Sequence, residues 1–480
     1  MSPLFPALRT ADEKEALRFG EHALSYAELA GAAGALAGRL AGAGRVAVWA
    51  TPTLETAVGV VAALLAGVPA VPLNPKTGER ELAHILADSA PSAVLAAPGD
   101  LLPPALAALT RIDVVATAGA ADLSAAEPDA AEPDDTESPA LIVYTSGTTG
   151  PPKGAVLPRR AISGTLDALA EVWAWTPDDV LVHALPLFHV HGLILGVLGP
   201  LRRGGSVRHL GRFSVEGVAR ELTAGATMLF GVPTMYHRIA EALDTDRELA
   251  KALAGARLLV SGSAALPVHD HRRIAAATGR TVIERYGMTE TLMNTSVRVD
   301  GEPRPGTVGV PLPDVELRLA DESDGIGEIQ VRGPNLFSGY LNRPDATAAA
   351  FTEDGWFRTG DMASLDADGY VRIVGRKATD LIKSGGYKIG AGEIENALLD
   401  HPGVREAAVT GEPDADLGER IVAWVVPADP QSPPTPEELA GHVAAQLSPH
   451  KRPRTVRFLE ALPRNDMGKI MKRALGNGNG

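Results

Sequence analysis

The stretch YTSGTTGPPKG, residues 144–154, decides how the rest of this 480-residue chain is interpreted. It follows the apolar run 140–143 and brings hydroxyl side chains, glycines and Lys153 into one short loop. Backbone N–H groups, hydroxyls and an ammonium group are donors that hold phosphate oxygens. The loop is not a Walker A motif, because Pro152 and Gly154 flank its lysine. It predicts a phosphate-binding loop of another type, with a flexible turn as the alternative.

Apolar runs alternate with helical segments on both sides of this loop. Residues 46–50 and 70–73 predict strands, and residues 53–66 predict a helix that ends at Gly67. Such a strand–helix–strand unit builds a parallel sheet. Further strands are predicted at residues 92–97, 112–116, 180–184, 227–232, 257–261 and 281–283. The chain is therefore assigned to the α/β class, with a β-rich section at residues 327–332 and 369–374.

The pattern changes after Gly375 to a compact α+β unit. Helices are predicted at residues 393–399 and from Thr435 onward, and strands at residues 406–410 and 421–426. Thr435 is a capping residue followed by proline and two acids, which is typical of a helix start. We predict two domains, residues 1–376 and 377–480. Residues 121–139, rich in Ala, Asp, Glu and Pro, predict a solvated loop.

Composition narrows the class of protein. The chain is 45% hydrophobic and 22% charged, as in globular proteins. Its net charge of −14 disfavours nucleic acid or an anionic membrane as a partner. The absence of cysteine excludes disulfides and thiolate chemistry. Since neither a secretory signal nor a membrane span is recognisable, we expect a soluble cytoplasmic protein.

The charge is unevenly distributed. Residues 377–480 contain 13 basic and 14 acidic residues, and residues 451–480 contain 8 basic and 2 acidic ones. Six of the ten lysines lie in residues 377–480. This concentration predicts that the C-terminal domain uses ammonium groups.

Six further motifs follow residues 144–154 in order. They are LPLFHVHG (185–192), ERYGMTE (284–290), GEIQVRG (327–333), FRTGD (357–361), the GR…D…KSGG set (375–386) and PRNDMGK (463–469). The ordered set resembles the adenylate-forming superfamily of acyl-CoA synthetases, peptide-synthetase adenylation domains and luciferases, over about residues 24–473. The resemblance implies a large N-terminal domain of layered, parallel-rich sheets with helices, and a small mobile C-terminal domain.

The resemblance also implies ATP and Mg²⁺, because a carboxylate that attacks the α-phosphorus of ATP needs local cations. Lys469, Thr289 and Glu290 are the implied catalytic residues, and Glu290 and Thr148 would hold the metal. The implied ATP- or AMP-binding residues are Thr145, Ser146, Gly147, Thr148, Thr149, Lys153, Ser263, Ala264, Ala265, Glu284, Arg285, Tyr286, Gly287, Met288, Asp361 and Arg376. Taken alone, Glu290 could instead be an acid at the start of a helix, and Asp361 could be a turn residue.

In this superfamily the small domain rotates between two half-reactions. Lys469 would bridge the carboxylate and the α-phosphate in the first half-reaction. The second would use a loop that lines the CoA channel, namely Lys383, Ser384, Gly385, Gly386 and Lys388. The hinge is expected at Lys377 or Thr379, because residues 375–380 have one residue more than relatives usually show. No carrier segment follows Lys469, which favours free CoA as the acceptor.

The acyl substrate is expected to be a small dicarboxylate. The implied pocket residues are His189, Arg238, Ser261 and Met288, and a basic Arg238 would pair a second carboxylate bidentately. The string TMYHRI (234–239), with His189 and residues 285–291, resembles malonyl-CoA synthetases, which also accept methylmalonate. Alternatively, Arg238 is an exposed helix residue without a role in substrate binding. His191 is expected in the core.

Other possibilities stay open from the sequence. A CoA ligase for short aliphatic monocarboxylates is the alternative enzyme, and a non-catalytic nucleotide-binding relative is the alternative from another class. The context of Lys469 also resembles sites where a lysine acyltransferase switches such enzymes off. We expect a monomer or weak homo-oligomer.

Overall fold

The computed structural model describes residues 4–10, 12–116, 135–145, 151–323, 325–377, 380–385, 387–464 and 470–475, with Lys388 described for its backbone alone. The strands are β1 (Glu15–Phe19), β2 (His22–Ser25), β3 (Val46–Trp49), β4 (Ala70–Leu73), β5 (Ala93–Ala96), β6 (Thr110–Asp113), β7 (Pro139–Thr145), β8 (Lys153–Pro158), β9 (Val180–His183), β10 (Ser206–His209), β11 (Met228–Gly231), β12 (Leu258–Ser261), β13 (Val282–Met288), β14 (Leu292–Ser296), β15 (Val310–Pro311), β16 (Glu316–Ser323), β17 (Ile326–Arg332), β18 (Gly339–Tyr340), β19 (Phe357–Leu365), β20 (Val371–Arg376), β21 (Leu381–Ser384), β22 (Tyr387–Gly390), β23 (Val404–Asp414), β24 (Gly418–Pro427) and β25 (Thr455–Phe458).

The helices connect these strands. They are α1 (Tyr26–Leu40), α2 (Leu54–Leu65), α3 (Glu79–Ser89), α4 (Arg159–Val172), α5 (Gly199–Arg203), α6 (Val215–Thr223), α7 (Pro233–Ala242), α8 (Arg247–Gly255), α9 (Val268–Thr278), α10 (Pro344–Ala349), α11 (Ala391–Leu399) and α12 (Pro436–Gln446), with a π-helix at His191–Leu198 before α5. Among the described residues, no helix is long and apolar enough to span a membrane.

Two large sheets dominate the N-terminal part. One has the order β15-β14-β13-β12-β11-β9-β10-β1-β2, and the other has the order β18-β8-β7-β4-β3-β5-β6. Their inner strands run parallel, whereas the β7–β8 and β13–β14 pairs at the site are antiparallel. The predicted α/β class is confirmed.

Helix α2 lies between the two large sheets. It is buried on nearly all sides and contacts β3 and β5 of one sheet and β1 of the other. A helix that is apolar all round needs such a position. The predicted β3–α2–β4 unit is also confirmed, and Gly67 follows α2 with a φ of +68°.

The β-rich section is an antiparallel sheet with the order β16-β17-β19-β20. Its last strand ends at Arg376, which pairs with Asp361 across β19 and β20. The section therefore supplies one wall of the predicted nucleotide site.

The C-terminal part has its own sheet and hydrophobic cluster. The sheet has the order β22-β21-β24-β23, with β25 beside β24. Ile389, Ile394 and Val425 belong to a cluster packed under α11 and α12. Thr435 and Glu438 form the reciprocal capping hydrogen bonds that start α12, as its sequence predicts. The boundary near residue 376 stays a prediction.

Two local expectations need correction. Strand β13 does not end at residue 283 but continues through Met288, because it pairs with β14. The predicted strand at 112–116 lies earlier, at Thr110–Asp113. Most of the predicted loop 121–139 lies outside the described residues.

Candidate active site

The phosphate-loop motif connects two antiparallel strands. Strand β7 ends at Thr145 and β8 begins at Lys153, and these two residues face each other in the register. The Thr145 hydroxyl donates to the Lys153 carbonyl at 3.4 Å. Ser146, Gly147, Thr148 and Thr149 lie outside the described residues. The hairpin nevertheless fixes both ends of the loop.

Glu290 and Lys153 are joined through Tyr340. Glu290 is 6% exposed, and its Oε1 accepts a hydrogen bond from the Tyr340 hydroxyl at 2.7 Å. The Nζ of Lys153 lies 4.2 Å from the centre of the Tyr340 ring. Burial and the Glu290 charge raise the pKa of Tyr340 above its usual value, so its hydroxyl stays a donor. The sequence motifs did not identify Tyr340.

The fold explains why Tyr340 reaches both groups. Strand β18 pairs with β8 and sets Tyr340 opposite Ala155. The backbone N–H of Phe337 donates to the Glu290 carbonyl at 2.8 Å. The segment around β18 therefore ties the phosphate hairpin to the turn that carries Glu290.

That turn lies between β13 and β14 and also carries Thr289, which is partly buried. Gly287 is required there, because a Cβ would come within 1.8 Å of the Leu292 carbonyl oxygen. Met288 packs against the main hydrophobic cluster. Carboxylate oxygens are the ligands that Mg²⁺ prefers, so Glu290 fits a magnesium site.

Tyr286, Asp361 and Arg376, which the resemblance assigns to nucleotide binding, contact one another. The Tyr286 hydroxyl donates to Asp361 Oδ2 at 2.6 Å. Arg376 Nε lies 2.9 Å from the other oxygen, Oδ1. Burial and the charge of Asp361 raise the pKa of Tyr286 well above its usual value. The three residues come from β13, β19 and β20, so the motifs converge as the resemblance implies.

Ser263, Ala264 and Ala265 form an exposed loop after β12. Glu284 lies behind this loop, not on its exposed side. It is 3% exposed, accepts the backbone N–H of Leu266 at 2.9 Å and lies 2.9 Å from His271 Nε2. Glu284 was predicted to bind nucleotide; the structure instead gives both its oxygens internal partners that support the loop.

Arg285 is the most unusual charged residue of the site. It is 4% exposed, and its Nε and Nη2 have no hydrogen-bond partner among the described residues. Burial lowers the pKa of its guanidinium to about 10. The guanidinium lies on the backbone of Gly262, where a Cβ would come within 2.3 Å of Arg285 Cζ. Its assignment to nucleotide binding stays a prediction, and its unpaired donors fit any anionic ligand group.

Two more buried polar groups accompany Arg285. The Oγ of Ser261, next to Gly262, and both ring nitrogens of His191 have no hydrogen-bond partner in the described part of the chain. After burial, the charge of Arg285 is the next largest cause of the lowered pKa of His191. His191 was expected in the core, and it is buried; its unpaired nitrogens make it a candidate pocket residue.

His189 and Arg238 have more open positions. His189 is partly buried, and its ring centre lies 4.6 Å from that of Phe188. Arg238 is exposed on α7, and its side chain makes no ion pair or hydrogen bond with the residues that the structure describes. Its predicted role in the acyl pocket stays a prediction, and its exposed helix position agrees with the alternative that the sequence left open.

The residues implied for the CoA step lie on the β21–β22 hairpin. Lys383 is exposed and Ser384 is buried, and Gly385 has a φ of +59° and donates its N–H to the Leu417 carbonyl. Lys388 faces Lys383 in the strand register. Gly386, Thr379 and Lys469 lie outside the described residues. The expected roles of these residues stay predictions.

Comparison with known proteins places this geometry in a family. The profile described as "AMP-binding enzyme" matches residues 6–341, and the profile "AMP-binding enzyme C-terminal domain" matches residues 393–469. The chain belongs to the AMP-binding enzyme family. Membership in this family confirms the resemblance that the ordered motifs indicated.

Similar members of the AMP-binding enzyme family are named for malonate. A malonate–CoA ligase of Arabidopsis thaliana is 39% identical over 91% of this chain and 78% of its own length. A malonyl-CoA ligase solved as a ternary product complex with methylmalonyl-CoA and AMP is 75% identical, covers 96% of this chain and 100% of its own, and has a TM-score of 0.73. An ATP-bound MatB from Rhodopseudomonas palustris is 36% identical, covers 98% of both chains and has a TM-score of 0.89.

Proposed function

We propose that the protein is a malonyl-CoA synthetase. It would convert malonate or methylmalonate and ATP into the acyl-adenylate and pyrophosphate, and then transfer the acyl group to CoA with release of AMP. The observation that carries this proposal is the buried guanidinium of Arg285, which lacks a counter-ion among the described residues. The names and the 75% identity of the relatives support the same substrate.

A buried cation without a partner requires an anion. Desolvation of an unpaired charge costs several kcal/mol, and a ligand carboxylate repays this cost through charge-assisted hydrogen bonds. Malonate has two carboxylates, so one attacks ATP while the other pairs with Arg285. Ser261 and His191 supply further polar atoms beside it. A monocarboxylate would leave these groups unpaired.

The remaining site residues would serve ATP. The 144–154 hairpin with Lys153 would hold the β- and γ-phosphates, Thr289 the α-phosphate and Asp361 the ribose hydroxyls, while Tyr286 would stack on adenine. Bound Mg²⁺ would neutralise phosphate charge, held by Glu290 and Thr148. Tyr340 would fix the orientation of Glu290.

The proposed reaction has two half-reactions, and the small domain would move between them. The 75% identical product complex superposes less well than the 36% identical ATP-bound structure, with TM-scores of 0.73 and 0.89. Sequence divergence alone would give the 75% identical structure the higher TM-score. The lower score is expected if the small domain has a different orientation in the product complex, which supports rotation. Lys469 would serve adenylation, and the hairpin with Lys383 and Lys388 would serve CoA.

Arg238 keeps a role in this proposal at the outer side of the acyl site. An exposed guanidinium attracts an anionic substrate without the cost of burial. The acylation of Lys469 by a lysine acyltransferase, a cytoplasmic location and a monomeric or weakly associated state also stay proposals. Acylation would remove the cation of the first half-reaction.

The test is AMP release with malonate, methylmalonate, sulfoacetate and butyrate. Sulfoacetate carries a sulfonate where malonate has its second carboxylate, whereas butyrate has an ethyl group. We expect malonate to exceed butyrate strongly. Arg285→Met should lower kcat/KM for malonate by about 3–5 kcal/mol, roughly 100- to 5,000-fold, and change butyrate turnover little.

Arg238→Met is the comparison variant: it removes an exposed guanidinium and should lower kcat/KM for malonate much less than Arg285→Met does. If Arg238→Met abolishes malonate turnover and Arg285→Met does not, the second carboxylate binds at Arg238. Equal turnover of butyrate and malonate would favour the monocarboxylate ligase. No AMP with any acid would favour the non-catalytic relative.

A further inference from the structure

Three side chains that the proposed function does not use converge on the surface formed by α7 and α9. They are His237, His269 and Asp270, and each offers a ligand atom within 4.8 Å of the others. Asp270 is fully buried, and the two histidines are partly buried. Imidazole nitrogen and carboxylate oxygen are the common protein ligands of Zn²⁺.

The sheet order brings these residues together. Helix α7 follows β11 and carries His237, and α9 follows β12 and carries His269 and Asp270 in its first turn. Strands β11 and β12 are parallel neighbours, and the two helices that follow them pack against each other. The ligand positions are therefore set by regular elements, not by a long loop.

The distances fit a shared ion. His237 Nδ1 lies 3.1 Å from Asp270 Oδ2, and His269 Nε2 lies 3.2 Å from Asp270 Oδ1. A tetrahedral ion with bonds of about 2.0–2.1 Å separates adjacent ligand atoms by roughly 3.3 Å. His237 Nδ1 and His269 Nε2 each lie at about this distance from a different oxygen of the Asp270 carboxylate.

The surroundings favour a cation between the three groups. Glu241 Oε1 lies 3.5 Å from His237 Nε2, the nitrogen that faces away from Asp270. A carboxylate at the second nitrogen is the usual arrangement around a metal-binding histidine.

We propose that His237, His269 and Asp270 bind one divalent transition-metal ion such as Zn²⁺, with an open fourth position. The ion joins α7 to α9, the helices that follow the strands of Phe230 and Ser261. Two imidazoles among three ligands favour Zn²⁺ over Mg²⁺. The proposal is independent of the malonate assignment, because none of its residues belongs to the proposed reaction.

The experiment is calorimetric titration of the untagged, chelator-treated protein with ZnCl₂ in excess Mg²⁺, which occupies carboxylate sites such as Glu290. One Zn²⁺ should bind per chain. At about 100 times the Kd, Zn²⁺ should raise the thermal midpoint by roughly 2 °C or more. Co²⁺ should give the visible absorption of a low-coordinate site.

His237→Ala and His269→Ala should each weaken Zn²⁺ binding at least tenfold, whereas His22→Ala, at an exposed position on β2, should not. Either site variant is sufficient if the other does not fold. Failure to bind one Zn²⁺ per chain overturns the proposal. Unchanged binding in a folded site variant also overturns it and leaves the cluster as a hydrogen-bonded link between helices.

Discussion

Substitution of Tyr340 by Phe tests how the site holds the acid that fits magnesium. The change removes one hydroxyl and keeps the aromatic ring. The hydroxyl donates to Glu290 at 2.7 Å, and the ring face carries Lys153 Nζ at 4.2 Å. Tyr340→Phe therefore separates the hydrogen bond from the cation–π contact.

The size of the effect follows from the charge of the acceptor. A hydrogen bond to a charged group contributes about 1.5–3 kcal/mol, which corresponds to roughly a 10- to 150-fold change. We expect this loss in kcat/KM for Mg·ATP. Tyr340→Leu should lose about 0.5–1 kcal/mol more, because it also removes the ring beneath the lysine.

The assay is ATP–pyrophosphate exchange at a series of Mg²⁺ concentrations. The apparent Mg²⁺ requirement should rise in Tyr340→Phe, while KM for malonate should stay within about threefold. Binding of Mn²⁺ with a non-hydrolysable ATP analogue, followed by electron paramagnetic resonance, gives a readout without turnover. Wild-type Mg²⁺ dependence in a folded Tyr340→Phe enzyme would refute the role of the hydroxyl.

Three more outcomes follow from the structure. Burial lowers the pKa of Arg285 to about 10, and the charged form binds the second carboxylate; the ratio of KM for malonate to KM for butyrate should therefore rise as the pH passes about 10. Lys377 is one of the two expected hinge residues, and its Nζ lies 2.9 Å from Glu328 with half of its side chain exposed. Because this ion pair would favour one position of the small domain, Lys377→Ala should shift the ratio of ATP–pyrophosphate exchange to AMP release by up to about fivefold. Thr435→Ala removes the hydrogen bond that the Thr435 hydroxyl accepts from the Glu438 N–H at the start of α12 and should lower unfolding stability by about 1 kcal/mol in denaturant titration, with catalysis in the folded enzyme unchanged.

The local pattern of apolar and polar residues predicts most of the helices and strands. The alternation of apolar runs and helical segments identified the β3–α2–β4 unit, and the cap at Thr435 identified the start of α12. These features depend on neighbours in sequence. The β13–β14 pairing depends on tight backbone contacts at Gly287, near the end of β13, and the predicted strand therefore ends too early, at residue 283. Glu284 and Arg285 therefore lie outside the predicted strand, although consecutive strand residues point to opposite faces of a sheet.

The site likewise has features that the sequence predicts and features that depend on contacts between distant residues. Ordered motifs predicted that Tyr286, Asp361 and Arg376 would meet, and they do. The motifs do not include Tyr340. It lies on a strand of only two residues, which has no recognisable sequence pattern, and its partners come from distant parts of the chain. Arg238 and Arg285 carry the same charge in the sequence, and the burial that distinguishes them arises from the packing of β12 against β13.

The burial of Arg285 has a cost that can be measured separately from its function. A cation held for a ligand destabilises the free enzyme, and replacement of buried charges by apolar side chains of similar volume is often neutral or stabilising by about 1–4 kcal/mol. Arg285→Met should therefore have an equal or higher thermal midpoint than wild type without malonate. Malonate should raise the midpoint of wild type and not that of the variant. A guanidinium that merely supports the fold would give the reverse, a destabilised variant whose response to malonate is kept.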